Sequence, residues 1–221
     1  MNKRLNFFTP LHNKTKRNYL ERMIDNKSAC MIVAKKYGKH YWDGNRKYGY
    51  GGYKYIQGRW TNFAKKIIKK YKLNSKSKIL DIGCGKGFLL YEIKKQIKDI
   101  SIKGIDVSSY AIKNSKIEIK EYLKRADITK KNNFKNKEFD LVICLGVLHN
   151  FSIEEISFVF KQINRISKRS FIMMESYRNE RELFNLQCWA LTCTSFLQPS
   201  DWNYLFKINN FKGDYELIYF K

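Results

Sequence analysis

The chain has 221 residues, a length that suits one sizeable core and is short for two independent domains. Hydrophobic residues make up 43% and aromatic residues 15%, too many for a disordered chain, and 2 prolines with 12 glycines exclude collagenous or linker-dominated designs. The formal charge is +24, and the excess is lopsided: residues 1–78 hold 21 basic and 3 acidic side chains. No apolar run approaches the roughly 20 residues of a membrane span, and the basic N-terminus lacks an apolar stretch long enough for a signal peptide. Five cysteines without a CxxC pair argue against a disulfide framework and a structural zinc site, so no metal is expected. A reduced, cytoplasmic globule without a membrane partner is the expectation. Lysine supplies 34 of the 44 basic residues, which fits compositional drift, but the asymmetry leaves room for a positive field that draws an anionic substrate or nucleic acid.

In chain order, residues 13–36 carry helical spacing, with apolar positions at Tyr19, Leu20, Met23, Ile24, Met31, Ile32 and Ala34. Residues 37–60 hold 8 aromatic residues and 6 glycines and read as irregular, surface-burying chain. Thr61 reads as the N-cap of a helix to about Lys72, with Phe63, Ile67, Ile68 and Tyr71 on one face and a solvated lysine face opposite. From residue 77 strands and helices alternate. Strands are expected at Lys78–Asp81, Ser101–Asp106, a short piece ending at Asp127, Phe139–Leu145, Ser170–Glu175 and Tyr215–Phe220. Helices are expected over 87–98, from Ser109 to about Leu123, after the capping box Ser152/Glu155, and near 179–192 and 200–209. This alternation predicts an α/β fold: a doubly wound, mostly parallel sheet with helices on both faces, Rossmann-like, plus an N-terminal helical and aromatic-rich cap. Residues 1–60 read as that cap or lid, and residues 61–221 as the main domain.

The segment KILDIGCGKG (78–87) places Gly83, Gly85 and Gly87 directly after a strand and at the opening of a helix. Glycine there allows a tight turn, close approach of a ligand and close packing of helix on strand. Asp106 ends the second strand about twenty residues on, where a carboxylate can accept from ribose hydroxyls. Asp127 ends the third, where its carboxylate or neighbouring amides can meet an adenine amine.

These residues resemble the class I S-adenosylmethionine-dependent methyltransferases. DIGCGKG (81–87), GIDVS (104–108), RADI (125–128), FDLVICLGVLHNF (139–151) and SFIMMESY (170–177) resemble that family's successive motifs over roughly residues 60–210. The resemblance implies S-adenosylmethionine as cofactor and a methyl-transfer activity. It implies that Asp81, Gly83, Cys84 and Gly85 lie against the methionine moiety, Asp106 against the ribose, Asp127 against the adenine and Leu145 beside the cofactor, with Val107, Ala126 and Ile128 also among the cofactor-binding residues. Two departures matter. Only one strand fits after Phe211 where the family closes its sheet with a hairpin, so the edge is incomplete or completed by the N-terminal segment or another subunit. The Asn/Asp-Pro-Pro-Tyr and Pro-Cys signatures of nucleobase methylation are absent.

For the acceptor, the rim at the strand ends offers His149, Asn150, Glu175, Tyr177 and Arg178. His149 titrates near neutrality when unperturbed and is a candidate general base; Glu175 is either a base or a charge partner of Arg178. In the aromatic segment Tyr41, Tyr50 and Tyr53 suit a lid over a sulfonium, and Arg46 and Arg59 offer forks to a carboxylate or phosphate. The expected partner is a small, anionic acceptor bearing a phosphate, nucleotide or carboxylate group, methylated on oxygen or nitrogen by a monomer or homodimer. The alternative is an RNA-directed methyltransferase or RNA-binding protein whose basic N-terminal third tracks phosphates while tyrosines stack on bases.

Overall fold

The computed structural model describes residues 2–221. Six strands, β1 (Lys78–Ile82), β2 (Ser101–Asp106), β3 (Leu123–Arg125), β4 (Leu141–Leu145), β5 (Ser170–Ser176) and β6 (Asp214–Tyr219), form one sheet in the order β3-β2-β1-β4-β5-β6. All five pairings are parallel. The strand order reverses between β1 and β4, so their carboxyl ends flank the crevice where such sheets bind ligands.

Central strands are apolar because both faces are covered. On one side α5 (Thr61–Tyr71) and α6 (Phe88–Gln96) bury Phe63, Ala64, Ile67, Leu90 and Ile93. On the other, α8 (Ile153–Ile166) and α10 (Pro199–Ile208) bury Ile156, Phe160, Ile163, Trp202 and Phe206. The capping box on α8 forms as its sequence predicts. The remaining helices are α1 (Thr9–His12), α2 (Tyr19–Ile24), α3 (Lys27–Ala34), α4 (Lys39–Asp43), α7 (Ser109–Lys113) and α9 (Glu180–Trp189).

Several elements depart from the sequence pattern. The helix expected over 13–36 is broken in two at Asp25 and Asn26, where Asn26 takes a left-handed backbone and caps α3 through its side chain. The helix expected from Ser109 to Leu123 stops at Lys113, followed by a 3-10 stretch, Ile117–Tyr122, and β3. Trp60, not Thr61, stands at the N-cap of α5; the Thr61 hydroxyl donates instead to Glu92, at 2.8 Å. The strand expected from Phe139 begins at Leu141.

The sheet edge is completed by the start of the chain. Leu5 N–H donates to the Tyr215 carbonyl at 2.8 Å and Tyr215 N–H to the Lys3 carbonyl at 3.0 Å, as a parallel bridge beside β6. The Glu216 carboxylate then accepts from the backbone N–H groups of Phe7, Phe8 and Thr9 and from the Thr9 hydroxyl. Pinned there, residues 9–60 turn across the carboxyl ends of the strands, with α2 packed on α9. Among the described residues no helix is long and apolar enough to cross a membrane.

Candidate active site

Two adjoining cavities open at the carboxyl ends of the strands. The smaller, about 360 Å³, is bordered by Asp106, Val107, Ala126, Asp127, Ile128 and Asn150. The larger, about 550 Å³, is bordered by Asp81, Cys84, Gly85, His149 and Glu175 from the sheet side and by residues of the N-terminal segment opposite. Gly83, Leu145, Tyr41, Trp42 and Tyr50 border both.

The glycine turn follows from local sterics. Gly83 and Gly85 have φ of +72° and +56°, a region costly for residues with a Cβ. A Cβ on Gly83 would collide with Val147 Cγ2, and one on Gly85 would lie 2.9 Å from Trp42 Cη2. The Asp106 carboxylate, at the end of β2, locks the turn by accepting from Gly85 N–H at 2.9 Å and from Ser108 N–H at 2.8 Å. Burial raises the pKa of Asp106 against the lowering by these two amides, and burial beside Asp106 raises that of Asp81 well above its usual value. Asp127 closes the turn after β3, its Oδ1 accepting from Thr129 N–H at 2.9 Å and the Thr129 hydroxyl at 2.7 Å. Asn150 Oδ1 is buried without a hydrogen-bond partner at the wall of the smaller cavity. It is an acceptor open to a ligand's amine or hydroxyl. Asn150, expected on the acceptor side, borders the smaller cavity together with Asp106, Ala126 and Asp127.

His149 and Glu175 lie against each other at the larger cavity. Glu175 N–H donates to His149 Nδ1 at 3.3 Å, which leaves the ring proton on Nε2, 3.4 Å from Glu175 Oε2. Burial lowers the His149 pKa, opposed by the Glu175 charge. Both ring nitrogens are thus engaged, and the imidazole is held neutral rather than free to take a proton. His149 orients Glu175, and the carboxylate is the group offered to the larger cavity. The partnership of Glu175 with Arg178 expected from sequence does not form. Arg178 pairs with Glu182 in α9, its guanidinium 4.2 Å from the Tyr219 ring centre. Neither Tyr177 nor Arg178 borders either of these two cavities; α9, beginning four residues after β5, supplies Glu182 and draws the arginine away.

The aromatic segment lies over both cavities. Trp42 donates through Nε1 to Ser108 Oγ at 2.8 Å, and its ring stacks on Tyr50, with centroids 5.3 Å apart. Tyr53 packs between Tyr50 and Phe88 at 4.6 and 5.1 Å. The segment is latched by Asp43, which pairs with Lys86 Nζ at 2.7 Å and accepts from the Tyr110 hydroxyl at 2.9 Å. Tyr55 adds a hydrogen bond to the buried Glu92. Arg59 is exposed at the rim of the larger cavity. Arg46 also borders it, and its guanidinium donates to the Gly49 carbonyl. Sequence reasoning assigned no role to Tyr37, Arg17, Arg22 or Trp189, all cavity residues. Tyr37 lies within the aromatic run that marked the cap, while Arg17, Arg22 and Trp189 have no spacing that would have flagged them.

Residues 73–213 match the family model described as "Methyltransferase domain", and the chain belongs to that family, the class I S-adenosylmethionine-dependent methyltransferases. S-adenosylmethionine is its cofactor. The glycine turn, the carboxylate of Asp106 and the open Asn150 acceptor fit it. A protein from Bacillus halodurans C-125 shares the fold with a TM-score of 0.54 at 15% identity, over 66% of this chain and 67% of that one. The YcgJ protein of Bacillus subtilis gives 0.52 at 16% identity, over 66% of each chain. A Haloferax volcanii protein solved with the Trm112 methyltransferase activator gives 0.52 at 16%, over 68% of this chain and 66% of that complex's chain. The chain thus spans about two thirds of the structures it matches. A search of curated protein sequences gives no match. As 406 solved chains match this fold, the fold alone does not choose an acceptor.

Proposed function

We propose that this methyltransferase transfers its methyl group to an oxygen or nitrogen of a small anionic acceptor seated in the larger cavity. Residues up to 60 act as a cap on the domain formed by 61–221. The observation that carries this reading is the wall of that cavity: Lys16, Arg17, Arg22, Arg46, Lys54 and Arg59 border it, against Asp81 and Glu175 as its only acids among the described residues. Such a wall attracts and orients an anion. An RNA-directed enzyme would set its arginines along an outward strip, whereas Arg17, Arg22 and Arg46 turn onto the Trp189 ring at the cavity wall.

When bound, the cofactor supplies an electrophilic methyl carbon whose leaving group is already activated. The chain's part is to position the nucleophile, exclude water and accept a proton. Trp42, Tyr50 and Tyr53 cover the site and offer π faces that favour a cation. For a hydroxyl acceptor, a Glu175 carboxylate oxygen held by His149 would take the hydroxyl proton while the bound cofactor would supply the methyl group. The test is methyl transfer from labelled cofactor to a panel of phosphorylated and carboxylated small molecules beside their neutral counterparts. Label in the anionic members alone supports the reading, and equal label in the neutral ones would refute it.

A further inference from the structure

Three guanidinium groups converge on one indole. The Cζ atoms of Arg17, Arg22 and Arg46 lie 5.3, 4.6 and 4.9 Å from the ring centre of Trp189, the last residue of α9. They reach it from different places: the loop before α2, α2 itself, and the 3-10 turn Arg46–Tyr48. Backbone carbonyls hold them. Arg17 donates to Thr15 at 3.0 Å and His12 at 3.3 Å, and Arg22 to Arg46, Lys47 and Gly49 at 2.5, 3.1 and 3.2 Å. These carbonyls fix direction but supply no counter-charge. Among the described residues none of the three arginines forms an ion pair. Arg17 Nε is buried and has no hydrogen-bond partner. Burial, and then the charge of Arg46, lowers the pKa of Arg22 to about 10. Gathering like charges in a half-buried wall is unfavourable unless an anion joins them.

We propose that Arg17, Arg22 and Arg46, assembled on Trp189, form the subsite for a phosphate group of the methyl acceptor. The proposal rests on the larger cavity being the acceptor site. A single carboxylate has two oxygens and one charge and is satisfied by one guanidinium fork. Three cations whose carbonyl partners leave donors over, Arg17 Nε among them, suit a group with three terminal oxygens and a charge near −2. Glu175 borders the same cavity and acts on the Arg17 charge, so an acceptor anchored here would place another part of itself toward the carboxylate that takes the proton.

The test is calorimetric titration of the full chain with inorganic phosphate, with succinate and with S-adenosylhomocysteine. The expected result is phosphate binding that weakens at least about tenfold in Arg46→Gln, while affinity for S-adenosylhomocysteine stays within twofold. Arg17→Lys, which keeps the charge and loses the fork, is the second variant should Arg46→Gln melt early, and the same weakening is expected. Intact S-adenosylhomocysteine binding without phosphate binding overturns the subsite alone. Succinate binding more tightly than phosphate, or phosphate affinity unchanged in either variant, overturns it as well. Absence of S-adenosylhomocysteine binding to the wild-type chain would instead overturn the methyltransferase reading beneath it. An oligoribonucleotide that displaces phosphate at physiological salt would replace the small acceptor by RNA.

Discussion

The strand ends and the N-terminal segment face each other across the same two cavities, yet they are built on different principles. At the strand ends the polar groups are fixed by the turns and the neighbouring strand ends. Gly83 and Gly85 turn because of their backbone, Asp106 accepts from amides of the turn it adjoins, and Asp127 caps its own loop. The contacts that fasten the N-terminal segment to the rest of the chain are long-range: Asp43 to Lys86, Trp42 to Ser108, Tyr55 to Glu92, Glu216 to Phe7–Thr9. The family match covers residues 73–213 and leaves the cap out. On the function proposed above, cofactor binding falls mainly to the strand ends and choice of acceptor to the N-terminal segment.

The strongest way to break the division is at the glycine turn. Gly85→Leu combines a left-handed backbone with a side chain driven into Trp42. Calorimetry is expected to show no S-adenosylhomocysteine binding, with far-ultraviolet circular dichroism retained. Next is the acid–base pair. Glu175→Gln should lower turnover on a hydroxyl acceptor by about 10²- to 10⁴-fold with cofactor affinity unchanged. His149→Ala should cost less, since its ring acts through Glu175.

The latch comes third. Asp43→Ala strands the Lys86 ammonium, whose side chain is 6% exposed, and loss of one partner of such a pair costs about 3 kcal/mol. Thermal melting and hydrogen exchange over residues 37–60 would show it. An unchanged melting temperature with an unchanged exchange pattern would mean that the cap does not depend on this pair.

The smallest expected effect is on pH dependence. His12 is buried, its Nε2 donating to the Tyr219 carbonyl at 3.1 Å and its Nδ1 accepting from Arg17 at 3.0 Å. Burial first and the Arg17 charge second lower its pKa to about 4. Between that value and the usual 6.5 the unfolded chain binds the proton and the folded chain does not. Stability from neutral His12 is therefore complete above pH 6.5 and lost as pH falls toward 4, at most about 3 kcal/mol. The His149 pKa, lowered by burial, adds in the same direction. Denaturant midpoints at pH 7 and pH 5 should differ, and His12→Asn should shrink the gap; an equal gap in the variant would remove His12 from this role.

What could be read from the sequence follows the same line between local and long-range structure. Strands β1, β2, β4 and β5 and the turn at 81–87 are written in apolar runs and glycine spacing, because their physics acts over a few residues. Asp81, Gly83, Gly85, Asp106 and Asp127 were legible for that reason. The aromatic density of the N-terminal segment marks it as surface-burying, but its path cannot be built from that density. The completion of the sheet edge by residues 3–5 depends on Tyr215. The positions of Arg17 and Arg22 depend on Trp189, more than 160 residues away. The neutrality of His149 and the diversion of Arg178 to Glu182 likewise depend on contacts that no periodicity encodes. The aromatic segment also reaches further than expected: Tyr37, Trp42 and Tyr50 border the smaller cavity.

The division of labour is tested most directly by titrating S-adenosylhomocysteine into the wild-type chain, Asp106→Ala and Arg59→Ala side by side. The expected result is one site in the wild-type chain, a loss of about 1.5–3 kcal/mol in Asp106→Ala, and no change in Arg59→Ala. Equal losses in the two variants, or none in Asp106→Ala, would contradict a cofactor held by the strand ends and an acceptor held by the cap.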